Sequence, residues 1–545
     1  MPPAVQPLEA LCDRYVAELF AYDPGAARAG GDHSYDGRLG PVGATATIRR
    51  LRQLQTLTEE LDTLELAVPD SARTSDERAD AITLRQRVAL ERFQLVELDE
   101  ARRNPLAMLF RGADPAPYCM HEYAPVPTRA EALASHLDRL PDWLEAGLNQ
   151  LSDSLDDGSR AASIAVSLGL ASFYSGDLSA VLPLPDHPQL RARLERSAIA
   201  AGAACQRFAA TIEQRAASPS SALGEARFLS LLEAQEGVIE TRSSLRRAAD
   251  TELASLYAQF EELSARTAPG EGVAGAVRRM EADHPTAGSL ISEASVGLDR
   301  IRDFWLERDV VTIPDAPVRV MPSPAFLAPL CSAAFFGAGT LAQQDVESNY
   351  LVTAVESAWS ADQADEWLRS LNRWTLENIG VHEVLPGHFV HMLHARHQPS
   401  LIRRQAWTAG FGEGWAHYTE QLAIEHGLAD GRPLLHLAQL QDALLRACRF
   451  SAALALHTEG ASVDDVTLLF VEKCSMPQFP ARREAERGTY DPMYLVYTYG
   501  KLQILAWRSE LQRRAGFSLR RFHDTMLGSG GPPLAAVREV ILATD

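Results

Sequence analysis

Apolar residues recur at every third or fourth position over most of the first 308 residues, which is the period of an amphipathic α-helix. Helices are predicted over 7–20, 44–64, 75–103, 187–217, 222–265 and 272–308. Thr74 and Glu77 have the spacing of a capping box at the start of the third of these helices. The pattern therefore predicts a mainly helical N-terminal lobe over residues 1–308.

The pattern changes at residue 310, where short β-prone runs stand between Pro, Gly and Ser residues. These runs are 310–313, 318–321, 333–336 and 350–353. They predict a small sheet within residues 310–353. Helical periodicity then returns, most clearly over 361–379, 434–456 and 463–474, the last two as core helices. We predict a second lobe over 309–545.

Composition and charge narrow the class of protein. The 545 residues are 46% hydrophobic, so the chain can bury a large core. The formal net charge of −20 repels nucleic acid phosphates, and no apolar run reaches the roughly 18 residues of a membrane span. We therefore expect neither nucleic acid nor a membrane as a partner.

Cysteine usage and the N-terminus bear on the compartment. The six cysteines are scattered without a C-x-x-C pair, which is typical of reduced thiols rather than a disulfide framework. The first residues lack the basic start and apolar core of a secretory signal. Together these observations predict a cytoplasmic protein.

One stretch carries the residue types of a hydrolytic metal site. His382 and Glu383 are adjacent, and His388 follows six residues after His382. In the common form H-E-x-x-H the second His stands at i+4 on the same helical face, but here Pro386 occupies that position. At about 100° per residue, an unbroken helix would place the two imidazoles roughly 120° apart. The helix must therefore be distorted if both bind one ion.

Pro386 and Gly387 allow two interpretations of this spacing. Pro cannot donate to the carbonyl of residue 382, and Gly tolerates irregular dihedrals, so a bulged turn could return both imidazoles to one side. Alternatively, the Pro-Gly pair ends one helix and begins another, and His382 and His388 are ordinary histidines. The spacing alone leaves both interpretations open.

A third candidate ligand, Glu413, lies 25 residues after His388 in an amphipathic stretch that runs to a helix end at Gly427. Two neutral imidazoles and one carboxylate are a donor set that binds zinc, and an unligated Glu beside them can move a proton of water. The sequence therefore indicates one divalent metal, expected to be Zn²⁺.

The motif H-E-x-x-P-G-H, followed by E-G-W-A-x-Y-x-E, resembles the bacterial domain-of-unknown-function family 885, a remote and mainly helical branch of the zinc metallopeptidases. The resemblance spans most of the chain and includes Tyr35-Asp36 and Tyr497-x-x-Gly500-Lys501. It implies a large two-lobed helical fold with a small β-sheet next to the metal-site helix. The helical segments that form the site are expected over 375–427 and 489–514.

The same resemblance implies roles for individual residues. It makes His382, His388 and Glu413 the metal ligands and Glu383 the general base. Tyr497 and Arg508 are implied as further catalytic residues, because a hydroxyl or a guanidinium can stabilise the charge that develops on a carbonyl oxygen.

Tyr497 and Arg508 stand eleven positions apart on one predicted helix, about 16 Å along its axis, so only one of them can reach the reacting carbonyl. We assign that role to Tyr497 and give Arg508 a substrate or structural anchor.

Further residues are expected beside the metal or the substrate: His391, His417, Glu420, Tyr499 and Lys501. His391 and His417 depart from the family pattern, and they put the substrate and the metal in question.

We expect a single catalytic unit over 1–545 that hydrolyses peptide or small amide substrates, with Glu383 taking a proton from water and returning it to the leaving amine. One alternative is a biosynthetic enzyme that uses iron, manganese or zinc for elimination, rearrangement or oxidation; it is favoured if His391 and His417 face the site. Another is a non-catalytic binding protein, against which the intact motif weighs. The oligomeric state is not predicted.

Overall fold

A computed structural model of the chain describes residues 6–218, 221–324, 326–328, 332–343, 346–356 and 359–543. Helix accounts for 69% of the chain and strand for 3%, which confirms the mainly helical class and the small sheet. The five described cysteines form no disulfide and are buried; Cys331 lies outside the described residues.

The first part of the chain is helical throughout, apart from short 3₁₀ turns and a two-residue strand pair. Its helices are α1 (Leu8–Tyr22), α2 (Pro24–Ala29), α3 (Ala44–Ala67), α4 (Ser75–Val96), α5 (Glu100–Arg103), α6 (Pro105–Gly112), α7 (Ala116–Cys119), α8 (Val126–Leu137), α9 (Leu140–Leu148), α10 (Asp157–Ser175), α11 (Leu178–Val181), α12 (Pro188–Glu213), α13 (Glu225–Glu236), α14 (Arg242–Thr267), α15 (Gly272–Glu281) and α16 (Leu290–Leu306). The strand pair is β1 (Ser154–Leu155) with β2 (Ala216–Ala217).

The second part opens with a sheet and returns to helices. Its strands are β3 (Val318–Pro322), β4 (Ala333–Phe336) and β5 (Ser348–Val352). Its helices are α17 (Ala361–Ser370), α18 (Arg373–Glu383), α19 (His388–Ala395), α20 (Leu401–Ala406), α21 (Ala409–Glu425), α22 (Pro433–Thr458), α23 (Val463–Cys474), α24 (Gln478–Tyr490), α25 (Val496–Leu511), α26 (Leu519–Gly528) and α27 (Leu534–Leu542).

The capping box at α4 is confirmed, because Thr74 and Glu77 exchange both of its hydrogen bonds. The helix ends earlier than the predicted residue 103, at Val96. Asp99 then adopts a left-handed conformation with φ 49°, which a continuous α-helix does not accommodate. The four-residue α5 follows.

The three-stranded sheet has the order β3-β5-β4, with β5 parallel to β3 and antiparallel to β4. β4 is therefore an edge strand. The β-prone run 310–313 is not a strand, and that prediction is wrong. Its backbone bonds to α26 instead: Thr312 N donates to Asp524 Oδ1 at 2.8 Å, and Val310 O accepts from His523 Nδ1 at 2.8 Å.

Three hydrophobic cores stabilise the described chain. The first packs α1, α3 and α4 together, and the second packs α6 to α12. The largest core joins α13–α16 to helices of the second part, so that Phe260 and Trp305 share one core with Trp415. The core around the E-G-W-A motif thus contains residues from before and after residue 308. None of the described helices is long and apolar enough to cross a membrane.

Candidate metal centre

The helix that carries His382 ends one residue later, at Glu383, and a new helix begins at His388. Between them the chain turns back on itself, and Gly387 N donates to Val381 O at 3.1 Å. A Cβ on Gly387 would lie 1.6 Å from the carbonyl oxygen of His382, so only glycine fits there. The Pro-Gly pair therefore separates two helices, which is the helix boundary of the second interpretation and not the bulged turn of the first.

Two buried indoles satisfy the carbonyl groups that this break leaves without helical partners. Trp305 Nε1 donates to Leu385 O at 3.1 Å, and Trp415 Nε1 donates to Pro386 O at 2.9 Å. The Leu385–Pro386 peptide bond is cis. The Trp of the E-G-W-A motif thus binds the break in the H-E-x-x-P-G-H motif.

The break brings the two imidazoles to one point. His382 Nε2 and His388 Nε2 lie 3.4 Å and 3.3 Å from Glu413 Oε2, and the rings stand at 90° to each other. Ligand atoms of these three residues all lie within 4.8 Å of one another, the only such group of three in the described parts of the chain. The predicted ligand set is therefore brought together in space.

A buried polar network fixes the orientation of His382. Its Nδ1 lies 2.6 Å from Glu420 Oε1, and Arg446 Nη2 lies 3.1 Å from the same oxygen. Asn378 Nδ2 lies 3.4 Å from the other Glu420 oxygen and donates to Asp442 Oδ2 at 2.7 Å. A carboxylate that accepts the Nδ1 proton leaves the Nε2 lone pair free, which is the usual arrangement of a metal-binding histidine.

The electrostatics of the cluster favour positive charge. Burial raises the pKa of Glu413, but the His388 charge and hydrogen bonds from both imidazoles outweigh it and hold this pKa well below its usual range. Burial and Arg446 lower the pKa of His382, but hydrogen bonds with Glu413 and Glu420 outweigh them and raise it to about 9. A proton or a metal cation is thus favoured between these groups.

Glu383, the predicted base, is tied to the sheet rather than to the cluster. Its Oε2 accepts a hydrogen bond from Phe335 N at 2.7 Å. Phe335 belongs to β4, and because its N–H points to Glu383, the open edge of this strand faces Glu383. The sheet is therefore next to the helix of His382.

Tyr497 lies inside a ring of arginines, one of which, Arg446, also binds the Glu420 behind His382. The Cζ atoms of Arg449, Arg487 and Arg446 lie 5.2, 5.9 and 6.0 Å from the centre of its ring. Burial, and then the charge of Glu413, raise the pKa of the Tyr497 hydroxyl. The hydroxyl therefore remains protonated and able to donate at neutral pH.

Arg508 lies near the other end of α25 and is bound elsewhere. Its Nη1 donates to Glu425 Oε2 at 2.7 Å and to the Tyr418 hydroxyl at 3.1 Å. The helix thus carries Tyr497 among the three arginines and Arg508 in a separate ion pair with Glu425.

Tyr499 and Lys501, on the same helix, also bind acids away from the cluster. The Tyr499 hydroxyl donates to Glu240 Oε1 at 2.9 Å. Lys501 Nζ donates to Glu252 Oε1 at 2.6 Å, and its side chain is buried. Both contacts attach α25 to the helical layer of α13 and α14.

His391 and His417 are fully buried, and neither belongs to the cluster. His391 Nε2 donates to Gly530 O at 2.8 Å, while His417 Nδ1 lies 3.5 Å from Glu420 Oε2. Burial lowers the pKa of both imidazoles to about 3, with Lys501 contributing at His417. Both rings are therefore neutral at physiological pH.

Sequence reasoning missed two residues at the site. Arg446, which holds Glu420, lies in a stretch assigned to the core; the only signal was its charge, together with those of Asp442 and Arg449, within a mainly apolar helix. Trp407 lies with its ring centre 6.4 Å from that of His388. No local pattern indicated it, because the contact joins different helices.

Solved structures share this fold. A "putative lipoprotein of unknown function" from Shewanella oneidensis superposes with a TM-score of 0.76 at 18% identity, over 98% of this chain and all of the other (100%). A "putative lipoprotein" from Colwellia psychrerythraea gives 0.79 at 16% identity, over 98% of both chains. At this identity the likeness establishes the fold alone.

The lipoprotein descriptions contradict the predicted cytoplasmic location, and that prediction is wrong. A lipoprotein is held by a covalently attached acyl chain, which requires no apolar span. Buried cysteines without a disulfide bond, such as the described cysteines here, are compatible with any compartment. Cysteine usage and the lack of an apolar span could therefore not identify a location.

Comparison with curated proteins gives no match. The sequence pattern of one family matches residues 24–541, nearly the whole length. Both motifs of the metal centre lie within this match. The chain therefore belongs to the family described as "Bacterial protein of unknown function (DUF885)".

Proposed function

We propose that this protein is a zinc-dependent hydrolase of peptide or peptide-like amide bonds. One observation carries the proposal: two imidazoles and a carboxylate converge within 4.8 Å, and the residue after the first imidazole is a glutamate outside the cluster. This is the division of labour of a hydrolytic metal site, in which three groups hold the ion and a fourth moves protons.

His382, His388 and Glu413 would hold the metal. The donor set of two nitrogens and one oxygen suits zinc, and the buried Glu420 behind His382 is the expected supporting acid. When bound, the ion would supply Lewis-acid chemistry, polarising the substrate carbonyl and lowering the pKa of water.

Glu383 acts as the general base. Phe335 N–H binds its Oε2 and fixes the carboxylate, while Oε1 receives no hydrogen bond from the described residues. Oε1 can therefore accept a proton from the attacking water and return it to the leaving amine. A carboxylate fixed by a backbone N–H needs little rearrangement for either step.

Tyr497 stabilises the oxygen that becomes negative. Its raised pKa keeps the proton on the hydroxyl, and the neighbouring arginines add positive potential at the same place. A hydroxyl that donates more strongly to the transition state than to the substrate lowers the barrier rather than only tightening binding.

The open edge of β4 supports the proposal that the substrate is a peptide. The Phe335 N–H shows that this edge faces Glu383, and an extended chain laid along it would place a backbone amide at the site. We include in this proposal a two-lobed, metallopeptidase-like arrangement of residues 1–308 and 309–545, with the substrate between the lobes.

A non-hydrolytic reaction receives less support. Such a reaction would be favoured if His391 and His417 faced the site as extra imidazoles. Instead, His391 binds Gly530 and His417 lies behind Glu420. The hydrolytic assignment gives a role to each of four residues, His382, Glu383, His388 and Glu413. It needs no further ligand.

Two variants test the proposal by separating proton transfer from metal binding. Glu383→Gln should retain zinc and lose turnover of dipeptides by at least about a hundredfold. Glu413→Ala should lose the zinc itself. Equal zinc loss in both variants, or dipeptide hydrolysis that survives Glu383→Gln, would contradict the assigned roles. Glu472→Gln, an acid on α23, is the matched control.

A further inference from the structure

Trp407 stands where α20 ends, two residues before the helix that carries Glu413. Its backbone lies in the left-handed region, with φ 33° and ψ 80°. This region is costly for a bulky side chain, and glycine or asparagine usually occupies such a position after a helix. Of the three described non-glycine residues with positive φ, the other two are Asp99 and Ser475, which are small and polar.

The surrounding chain enforces this conformation. Thr408 N donates to Gly531 O at 2.8 Å, and Thr408 Oγ1 donates to Pro532 O at 2.8 Å. Gly531 N donates in turn to Arg403 O at 2.9 Å. Backbone strain that neighbours maintain in this way is characteristic of functional positions.

The strain does not serve to bury the indole. Trp407 remains 38% exposed, whereas Trp305 and Trp415, which hold the helix break, are 2% and 0% exposed. An exposed side chain gains less from burial than it would in the core, so burial alone does not account for the conformation. The indole is instead directed to a particular place.

That place is the rim of the metal centre. The Trp407 ring stacks on His391, with centres 4.5 Å apart and planes at 28°, and lies 6.4 Å from the ring of His388. A Cβ on Gly412, the residue before Glu413, would lie 3.5 Å from Trp407 Nε1. The indole therefore adjoins two elements that supply metal ligands, and the neutral His391 supports it from behind.

We infer that Trp407 forms an aromatic wall of the substrate subsite and selects a bulky apolar side chain, best an aromatic one, on a residue that flanks the scissile amide. The inference rests on the proposed hydrolase function and names its substrate class. A partly exposed indole beside a hydrolytic centre offers a flat apolar surface to such a side chain. The Glu383 proton relay remains the same for all substrates, so Trp407 sets specificity rather than chemistry.

The test compares Ala-Ala with Phe-Ala and Ala-Phe as substrates of the zinc-loaded protein. The wild type should prefer one phenylalanine dipeptide, measured as a ratio of kcat/KM values. Trp407→Ala should reduce that ratio by about tenfold or more, since a hydrophobic pocket discriminates on this scale. Trp407→Phe should retain most of it. Phe479→Ala, which removes a 73% exposed aromatic on α24, is the control and should change nothing.

Three results would overturn the inference: a wild-type ratio near one, an equal loss of kcat/KM for all three dipeptides in Trp407→Ala, or loss of zinc from that variant. The last two would show that Trp407 only supports His388.

A binding measurement keeps the inference separate from the hydrolase proposal. Tryptophan emission is recorded in Glu383→Gln, with and without Trp407→Phe, as each dipeptide is added. The subsite is supported if the emission changes with the phenylalanine dipeptides but not with Ala-Ala, and if Trp407→Phe removes that change. The absence of such a change would overturn it, even if the wild type hydrolyses none of the three and the proposed function fails.

Discussion

Gly414 and Gly500 touch through their backbones: a Cβ on Gly414 would lie 2.6 Å from the Cα of Gly500. Gly414 follows the candidate ligand Glu413 on α21, and Gly500 lies one turn after Tyr497 on α25. The close approach of the two helices thus brings the turn that carries Tyr497, from a distant part of the sequence, against the helix that carries Glu413.

Gly500→Ala should separate these helices. The new Cβ would lie 2.0 Å from Gly410 O and 2.8 Å from the Cα of Gly414, and backbone atoms cannot move aside cheaply. We expect a loss of about 1–3 kcal/mol in the free energy of unfolding, measured by urea denaturation, together with reduced turnover. Gly528→Ala, where no atom lies within 4 Å, is the control and should be neutral or stabilising. An unchanged Gly500→Ala protein would show that the helices are not in contact.

Glu420→Gln should weaken metal binding without removing a ligand. The carboxylate accepts the Nδ1 proton of His382, and loss of such a supporting group costs about 10–100-fold in metal affinity. Competition with a zinc chelator measures the change. Gln421→Ala, on the exposed side of the same helix, should leave the affinity unchanged. Equal affinities in all three proteins would mean that Glu420 does not orient His382.

Tyr497→Phe should lower kcat about a hundredfold while KM and metal content stay close to wild type, as expected for a hydrogen bond made mainly in the transition state. Tyr499→Phe is a matched control on the same helix, because its hydroxyl is bound to Glu240. A larger effect of Tyr499→Phe than of Tyr497→Phe on kcat would contradict the role assigned to Tyr497.

Glu236 predicts a pH dependence of stability. It is fully buried, its Oε1 accepts from Gly410 N at 2.8 Å, and burial raises its pKa from the usual 4.5 to about 7. The folded protein therefore holds this proton to higher pH than the unfolded chain. This contribution to stability is fully present below pH 4.5 and is lost as the pH rises to about 7.

Glu236→Gln keeps an acceptor for Gly410 and removes the buried charge. Its free energy of unfolding should match that of the wild type near pH 4.5 and exceed it by at most about 3 kcal/mol at pH 8. Chemical denaturation at several pH values measures the difference. A difference that does not change with pH would show that Glu236 titrates normally.

Local patterns predicted most of the helices, because helical period and caps depend on neighbours in sequence. The run 463–474 was predicted with the bounds that α23 has, and Thr74 with Glu77 marked the start of α4. The run 310–313 failed because its backbone bonds to side chains of α26, more than 200 residues away.

The candidate ligands His382, His388 and Glu413 could be selected from the sequence because their residue types are those of a metal site. How they meet was not predictable. The two indoles that hold the helix break, the Arg446 behind Glu420 and the glycine contact between α21 and α25 are all tertiary contacts. No local pattern in the sequence records them.

The proposed zinc site is tested by the number of zinc ions bound per chain, measured by elemental analysis on protein purified without added metal. The wild type should carry one equivalent, and His388→Ala should lose most of it while retaining the helical circular dichroism of the wild type. A wild type without stoichiometric zinc, or a His388→Ala variant that keeps it, would contradict the account.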